Sequence, residues 1–337
     1  GDVYKRQYKS FVKSESEIIT LFYDKFADIP LLSRMDAVAE TFIDEIETLL
    51  NRDLPEEERI PLIEKFRKMY ETMDFYVLYN RFLKKEGYQT LPRRPLEKRK
   101  LRYEDVYPVL YLKYRLSRQA ERSNIKHLVI DEMQDYSRLQ YLIIRRMFSC
   151  KMTILGDRTQ TMADQQQDVL RFLPGIFGKD LRRIEMRKSY RNTVEIASYA
   201  ANLIGVTDLE LFERHGMPVL ERNVTDLEAA LREAVDTLFP EEKTYETAAV
   251  IVPDEKTAER AYLILREILA EKDFDCEKRL SWLNRDSSSF KKGLTVTTFY
   301  LAKGLEFDQV FSIFPKDEKR EMMMQAQYIA ATRALHE

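Results

Sequence analysis

The sequence predicts an α/β protein with parallel sheets, preceded by an all-helical region. From about residue 10 to residue 90, apolar residues recur at the spacing of amphipathic helices and no β-rich run occurs. After residue 125, short apolar segments that end in polar residues alternate with helical segments, which is typical of parallel sheets with crossover helices. With 337 residues, the chain is long enough for about two domains.

Composition and charge exclude several classes of protein. Lysine and arginine number 55 and aspartate and glutamate 57, so the net charge is −2 and any nucleic-acid surface has to be a local patch. No apolar run approaches the length of a transmembrane helix, and residues 1–20 lack the apolar core of a signal peptide. Two cysteines and three scattered histidines argue against a disulfide framework and a histidine metal site. We therefore expect a cytoplasmic protein.

The first part of the chain is expected to be helical over about residues 1–103. Apolar residues recur at helical spacing in residues 11–26 and again in residues 31–50. Pro30 and Pro55 stand where helices are expected to begin, because proline is tolerated in the first turn of a helix.

A basic stretch at residues 84–122 contains twelve basic and five acidic residues, a net charge of +7, and five interleaved tyrosines. Two interpretations remain open. The stretch is either a solvated linker and helix face or a surface that contacts nucleic-acid phosphates.

The pattern changes at residue 125. Residues 125–130 form a short apolar run that ends in two acids, and residues 152–155 form a second run that ends at a Gly-Asp pair. A helical segment at 138–148 separates them. Strands that end in polar residues and are separated by helices indicate a parallel sheet.

The same alternation returns nearer the carboxyl end of the chain. The predicted strands are 248–252, 294–298 and 309–314, and the predicted helices are 256–269 and 322–335. The polar segment 273–293 is predicted to be a loop.

Two adjacent acids at the end of the first predicted strand suggest nucleotide chemistry. Asp131 and Glu132 are expected at the carboxyl edge of a sheet, where nucleotide hydrolases place the acid that holds Mg²⁺. A neighbouring glutamate can polarise the attacking water. Two acids are weak evidence alone, but the continuation Met133-Gln134-Asp135 makes the signal far more specific.

Five segments in order resemble the motifs of UvrD/Rep-type superfamily one helicases. They are 131–135 (Asp-Glu-Met-Gln-Asp), 156–160 (Gly-Asp-Arg-Thr-Gln), 189–191 (Ser-Tyr-Arg), 297–307 (Thr-Thr-Phe-Tyr-Leu-Ala-Lys-Gly-Leu-Glu-Phe) and 328–334 (Tyr-Ile-Ala-Ala-Thr-Arg-Ala). The resemblance implies RecA-like parallel sheets of the P-loop NTPase class. It also implies an ATP-dependent DNA helicase or translocase, with ATP and Mg²⁺ as cofactors and single-stranded DNA or a DNA/RNA hybrid as partner.

The resemblance also implies roles for residues of the first two motifs. Asp131 would hold Mg²⁺, mostly through water, and Glu132 would be the catalytic base for water attack on the γ-phosphate. Gln160 would sense the γ-phosphate and couple it to the nucleic-acid path. Asp157 and Gln134 are expected to line the cofactor site.

The later motifs imply a second set of roles. Arg191 and Arg333 would neutralise charge on the transferring phosphoryl group, to which a planar guanidinium is well suited. Tyr190 would stack on the adenine and Glu306 would accept hydrogen bonds from the ribose hydroxyls. The implied single-strand track contains two further residues, Thr298 and Tyr300.

Each of these residues taken alone has a plainer interpretation. Arg333 could be a surface ion-pair partner, Tyr190 a packing residue, Glu306 an exposed acid and Asp157 a turn residue. The ordered set of motifs favours the functional interpretation.

The HelD-like branch of this family is the more specific match, carried by residues 103–105, 131–140 and 151–157. That branch contains helicase-like motors that act on RNA polymerase, so an ATP-driven RNA polymerase remodelling or recycling factor is the alternative function. Two departures fit it. Thr161, Met162 and Ala163 follow Gln160 where the family has a base-stacking aromatic residue, and Tyr300 replaces a frequent histidine.

No phosphate-binding P-loop, G-x-x-x-x-G-K-[S/T], occurs in the sequence. We therefore expect a fragment of a monomeric motor, truncated at both ends and catalytically inactive by itself. The expected parts are a helical insertion at 1–103, the remainder of a first RecA-like domain at 104–184 and a truncated second one at 185–337.

Overall fold

The computed structural model describes residues 13–118, 124–157, 169–186, 188–207, 210–240, 244–272, 275–287, 292–315 and 320–337. It is a mixed α/β structure with many helices and parallel sheets, which confirms the predicted fold class. The chain forms two compact units. The first comprises residues 1–156 and 169–181, and the second comprises residues 157–168 and 182–337. The three-part division expected from the motifs stays a prediction.

The first unit begins with helices and has no strand between residues 13 and 118. Its helices are α1 (Glu15–Thr20), α2 (Arg34–Leu50), α3 (Glu56–Arg67), α4 (Phe75–Lys85) and α5 (Tyr103–Leu116). The helices predicted at 11–26 and 31–50 are confirmed where the structure describes them. A π-helical turn, Leu21–Lys25, continues α1, and a 3₁₀ turn, Leu31–Ser33, precedes α2.

Local sequence explains where these helices begin and end. The Ser14 hydroxyl accepts the backbone N–H of Glu17 while the Glu17 carboxylate accepts that of Ser14, so a capping box starts α1. Helix α2 ends at Asn51, which adopts the left-handed conformation at φ 52°. The buried residues of α2 recur every three or four positions, from Val38 to Ile46, and pack against Phe22 and Phe66.

A two-stranded parallel sheet follows the helices. Strand β1 (His127–Ile130) pairs with β2 (Lys151–Ile154), and the helices packed in this part are α6 (Arg138–Met147) and α7 (Val169–Phe177). Both predicted strands and the helix between them are therefore confirmed. The two strands run in the same direction, so their polar ends meet at one edge of the sheet.

The second unit is built on a four-stranded parallel sheet. These strands are β5 (Thr247–Val252), β6 (Leu280–Trp282), β7 (Gly293–Thr298) and β8 (Gln309–Ser312). Their order across the sheet is β6-β7-β5-β8. The helices are α8 (Val194–Ile204), α9 (Leu227–Asp236), α10 (Glu255–Ala270), α11 (Cys276–Arg279) and α12 (Arg320–Ala331). A separate parallel pair joins β3 (Lys188–Ser189) to β4 (Glu210–Leu211).

Helices cover both faces of the central strand β5. Ala248, Val250 and Val252 belong to a core shared with α9 and α10, while Ala249 and Ile251 belong to a core shared with α12. A strand that is buried on both faces reads as an uninterrupted apolar run, which is why the sequence predicted it clearly.

The predicted loop at 273–293 is wrong in part, because α11 and β6 lie within it. Strand β6 has only three residues at the edge of the sheet, too few to show a periodic pattern. Among the described residues, no helix is both long enough and apolar enough to cross a membrane.

Candidate functional site

In the first unit, the two adjacent acids Asp131 and Glu132 directly follow strand β1. Asp131 is exposed and Glu132 is half-buried in the left-handed conformation, with φ 51° and ψ 52°. The Asp131 carboxylate accepts the backbone N–H of Glu132 at 2.8 Å, and the Glu132 carboxylate accepts the side-chain amide of Gln134 at 2.6 Å. Asp131, Glu132 and Gln134 therefore form one hydrogen-bonded turn, which we call the acid turn.

Gly156 brings the end of β2 directly against this turn. A Cβ atom at Gly156 would lie 2.4 Å from Cγ of Met133 and 2.5 Å from Oε1 of Gln134. The backbone N–H of Met133 donates to the Leu155 carbonyl at 2.8 Å. The first motif and the start of the second thus meet at the sheet edge, as parallel strands require. Asp157 is half-buried and directly follows Gly156, whereas Gln160 lies outside the described residues.

Tyr141 forms a hydrogen bond to the backbone of the acid turn. Its ring is fully buried and its hydroxyl donates to the Met133 carbonyl at 3.0 Å. Burial raises the pKa of this hydroxyl well above its ordinary value, so Tyr141 stays a neutral donor at any physiological pH.

In the second unit, Arg191 and Glu306 form an ion pair. Nε of Arg191 lies 2.5 Å from Oε1 of Glu306, and both side chains are nearly half exposed. Two expected nucleotide-binding residues from motifs far apart in sequence therefore lie side by side.

Asn192, the residue after Arg191, forms hydrogen bonds to the last motif. Its buried side-chain amide donates to the carbonyls of Ala334 at 2.6 Å and Thr332 at 3.3 Å. The backbone N–H of Phe307 donates to the Arg333 carbonyl at 2.9 Å. The segments that contain Arg191, Glu306 and Arg333 are thus held together by hydrogen bonds, and we call this group the arginine cluster.

Arg333 differs from Arg191 in its exposure. The Arg333 side chain is buried, with 2% of its surface exposed, and its guanidinium donates to the Ile329 carbonyl and the Thr332 hydroxyl, each at 3.2 Å. In this structure it is therefore not presented to solvent, and contact with a phosphate would require its exposure.

Tyr190 lies at the surface beside Phe212, a residue of no recognised motif. Tyr190 is 61% exposed, and the two ring centroids are 5.6 Å apart. Phe212 could not be selected from the sequence, because β4 is only two residues long and shows no periodic pattern.

A loop that contains Arg214 holds the Tyr190–Arg191 segment. The Arg214 guanidinium donates to the carbonyls of Arg191 and Leu335. Within the same loop, the N–H of Gly216 and the ring of His215 hydrogen-bond the Glu195 carboxylate and lower its pKa to about 2. Sequence reasoning missed Arg214 and Glu195, since neither belongs to a recognised motif.

The two expected single-strand contacts have opposite environments. Thr298 is fully buried, and its hydroxyl has no hydrogen-bond partner among the described residues. Tyr300 is 37% exposed, and a hydrogen bond to it raises the pKa of Arg285. The side chain of Thr298 is therefore not available at the surface in this structure.

The basic stretch contains two kinds of cation. Arg99 pairs with Asp74 at 2.6 Å and lies over the Tyr76 ring, and Arg102 pairs with Asp105 at 2.6 Å. The other cations of the 93–100 segment are exposed and form no ion pair with any described residue; they are Arg93, Arg94, Lys98 and Lys100. Contact between this stretch and nucleic-acid phosphates stays a prediction.

The described residues contain no group of three or more His, Cys, Asp or Glu side chains that could hold a metal ion. Mg²⁺ commonly binds through one or two carboxylates together with substrate phosphates. A single exposed acid such as Asp131 fits that mode of binding.

Comparison with known proteins links the first half of the chain to a helicase family. Residues 5–163 match the model of the UvrD/REP helicase N-terminal domain. No curated protein matches the chain. A solved structure, the C-terminal domain of a possible DNA helicase from Lactobacillus plantarum WCFS1, is 22% identical. The match covers 44% of this chain and 83% of that one at a TM-score of 0.32, too low to establish a shared fold. Residues 5–163, which include the acid turn, are therefore similar to the N-terminal domain of UvrD/REP helicases.

Proposed function

We propose that this chain is part of an ATP-dependent motor that moves on single-stranded DNA or a DNA/RNA hybrid. The observation that carries the proposal is the arginine cluster, in which three motifs distant in sequence converge around the Arg191–Glu306 ion pair. The helicase-domain match over residues 5–163 supports the same proposal independently.

Residues of the first unit would activate water and hold the metal. Glu132 is the proposed general base, and Gln134, which donates to its carboxylate at 2.6 Å, would orient it. Asp131 would hold Mg²⁺, which when bound neutralises charge on the phosphates. The second motif is proposed to contribute two further residues, Asp157 and Gln160, to the nucleotide site.

Residues of the second unit would bind the nucleotide and stabilise developing charge. The Arg191 guanidinium is exposed enough to reach a phosphate, and Glu306 can accept from ribose hydroxyls. The exposed ring of Tyr190 would stack on the base. Arg333 is proposed to join them once its buried guanidinium is uncovered.

The test is ATP turnover, with and without single-stranded DNA, in a protein that combines this chain with a P-loop segment. We expect Glu132→Gln to reduce turnover by about 10²–10⁴-fold, because the general base is removed. The matched control is Glu259→Gln, which changes an exposed acid of α10 and should leave turnover unchanged. Equal turnover in wild type and Glu132→Gln would refute the assignment. The 337-residue chain alone should show no turnover.

A second candidate is a HelD-like factor that remodels RNA polymerase. It is favoured by the segment Thr161-Met162-Ala163, which lacks the aromatic residue that stacks on a single strand. Strong stimulation of turnover by single-stranded DNA would support the first candidate. Tight binding to RNA polymerase with slight DNA stimulation would support the second.

A further inference from the structure

Two aromatic rings are exposed side by side in the second unit. Tyr190 follows β3 and Phe212 follows β4, and their exposed fractions are 61% and 43%. The ring centroids are 5.6 Å apart, with 38° between the ring planes. Exposing two large rings costs free energy, so a pair held in one place at the surface suggests that another planar group covers it.

Backbone hydrogen bonds hold the two rings in place. Ser189 pairs with Leu211 in the β3–β4 ladder, and the N–H of Phe212 donates to the Ser189 carbonyl at 3.1 Å. Just beyond the rings, the Arg214 guanidinium donates to the Arg191 carbonyl, and the backbone N–H of Val194 donates to the Arg214 carbonyl at 2.9 Å. The two segments that carry the rings are therefore joined by hydrogen bonds and are not independent loops.

A cation lies over both rings. Nζ of Lys188 is 5.6 Å from the Tyr190 centroid and 5.7 Å from the Phe212 centroid. Lys188 forms no ion pair with any residue that the structure describes, so its ammonium remains able to donate. Two ring faces beside a donor suit a ligand that is both aromatic and rich in edge acceptors, as a purine is.

We propose that Phe212 is a base-binding residue that forms, with Tyr190, a two-ring platform for the purine base of a nucleoside triphosphate, and that Lys188 donates to the edge of the base. The inference rests on the proposed function and extends it to two residues outside every motif. The base belongs to a free nucleotide because the next residue after Tyr190 is Arg191, a phosphate-binding guanidinium in that proposal.

The experiment measures ATP binding to the 337-residue chain by saturation-transfer difference NMR, which detects weak complexes. The variants are Phe212→Leu, which removes the ring, and Phe212→Tyr, which keeps it. Tyr103→Leu is the control, because Tyr103 is 77% exposed and also contacts a second ring, Tyr107, but lies in the first unit. Circular dichroism verifies that each variant is folded.

We expect saturation of the adenine protons in the wild type. Phe212→Leu should weaken ATP binding at least about fivefold, while Phe212→Tyr and Tyr103→Leu should change it less than about twofold. Tripolyphosphate, which has no base, should bind wild type and Phe212→Leu equally in calorimetric titration.

Three results would overturn the inference. One is ATP binding that Phe212→Leu leaves unchanged, and another is the absence of adenine saturation in the wild type. The third is a loss of tripolyphosphate binding in Phe212→Leu that equals its loss of ATP binding. A (dA)₁₂ oligonucleotide whose base saturation depends on Phe212 more strongly than that of ATP would assign the platform to nucleic acid and overturn the free-nucleotide assignment. The motor proposal is decided separately by Glu132→Gln turnover, so the two can fail independently.

Discussion

The acid turn of the first unit and the arginine cluster of the second are built in different ways. The acid turn comes from consecutive residues, Asp131 to Gln134, and is closed by hydrogen bonds within those residues. The arginine cluster is assembled from segments around residues 191, 306 and 333, joined by side-chain and backbone hydrogen bonds. The geometry of a local motif is set by its own consecutive residues, whereas the geometry of a cluster of distant segments depends on how the rest of the unit packs. The two sites should therefore respond differently to mutation.

The largest effect on stability is expected where Gly156 contacts the acid turn. Gly156→Ala would place Cβ 2.4–2.6 Å from atoms of Met133 and Gln134, one of them backbone. We expect the free energy of unfolding to fall by about 3 kcal/mol, because the sheet edge has to separate from the turn. Urea unfolding followed by circular dichroism measures this.

The control for that variant is Gly175→Ala. Gly175 lies in helix α7, and an added Cβ would meet nothing within 4 Å. Alanine should stabilise the chain by about 0.5–1 kcal/mol there, since glycine is unfavourable inside a helix. If both variants are equally stable, the close packing of the acid turn is refuted.

The next effect tests whether the arginine cluster depends on Asn192. Asn192→Ala leaves the carbonyls of Thr332 and Ala334, two buried residues, without this donor. We expect a loss of about 2 kcal/mol in the free energy of unfolding. Asn202→Ala, at an exposed position of α8, should cost nothing measurable. Equal effects would mean that Asn192 does not join the motifs.

A smaller effect is expected for the ion pair itself. Both partners of the Arg191–Glu306 pair are nearly half exposed, so Glu306→Gln should change the free energy of unfolding by less than about 1 kcal/mol. Glu228→Gln, which breaks an exposed pair with Arg232 in α9, should change it equally little. A loss above about 2 kcal/mol at Glu306 alone would contradict a mainly ligand-binding role.

The smallest effect concerns pH and the loop that contains Arg214. Hydrogen bonds from Gly216 and His215 lower the pKa of Glu195 from 4.5 to about 2, so its stabilisation is fully present above pH 4.5 and is lost as the pH falls towards 2. The difference in unfolding free energy between wild type and Glu195→Gln should shrink over that window. Glu259→Gln should show no such trend. A difference independent of pH would exclude this role of Glu195.

Much of the fold follows from the sequence because the relevant patterns are long. Strand β5 has six successive residues buried or nearly so, and helix α2 has a repeated apolar stripe. The strands β3, β4 and β6 have two or three residues each, and their pairing depends on partners elsewhere in the chain. Such short segments carry no period that a sequence alone could reveal.

The candidate site divides in the same way. The acid turn was predictable because Asp131 and Glu132 directly follow an apolar run. The burial of Arg333 and Thr298 could not be predicted, since it depends on the helices and strands that pack around these residues. Phe212 belongs to no motif, and only the pairing of β3 with β4 brings it beside Tyr190.

The left-handed backbone of Glu132 has a consequence for protein engineering. A glutamate at φ 51° is less stable than glycine, which has no Cβ atom, or asparagine, whose short polar side chain tolerates the left-handed conformation. Selection for heat resistance alone would therefore favour replacing Glu132 by glycine or asparagine. A library screened only for melting temperature would thus tend to lose the proposed general base, and a library screened for turnover would retain an unfavourable backbone conformation.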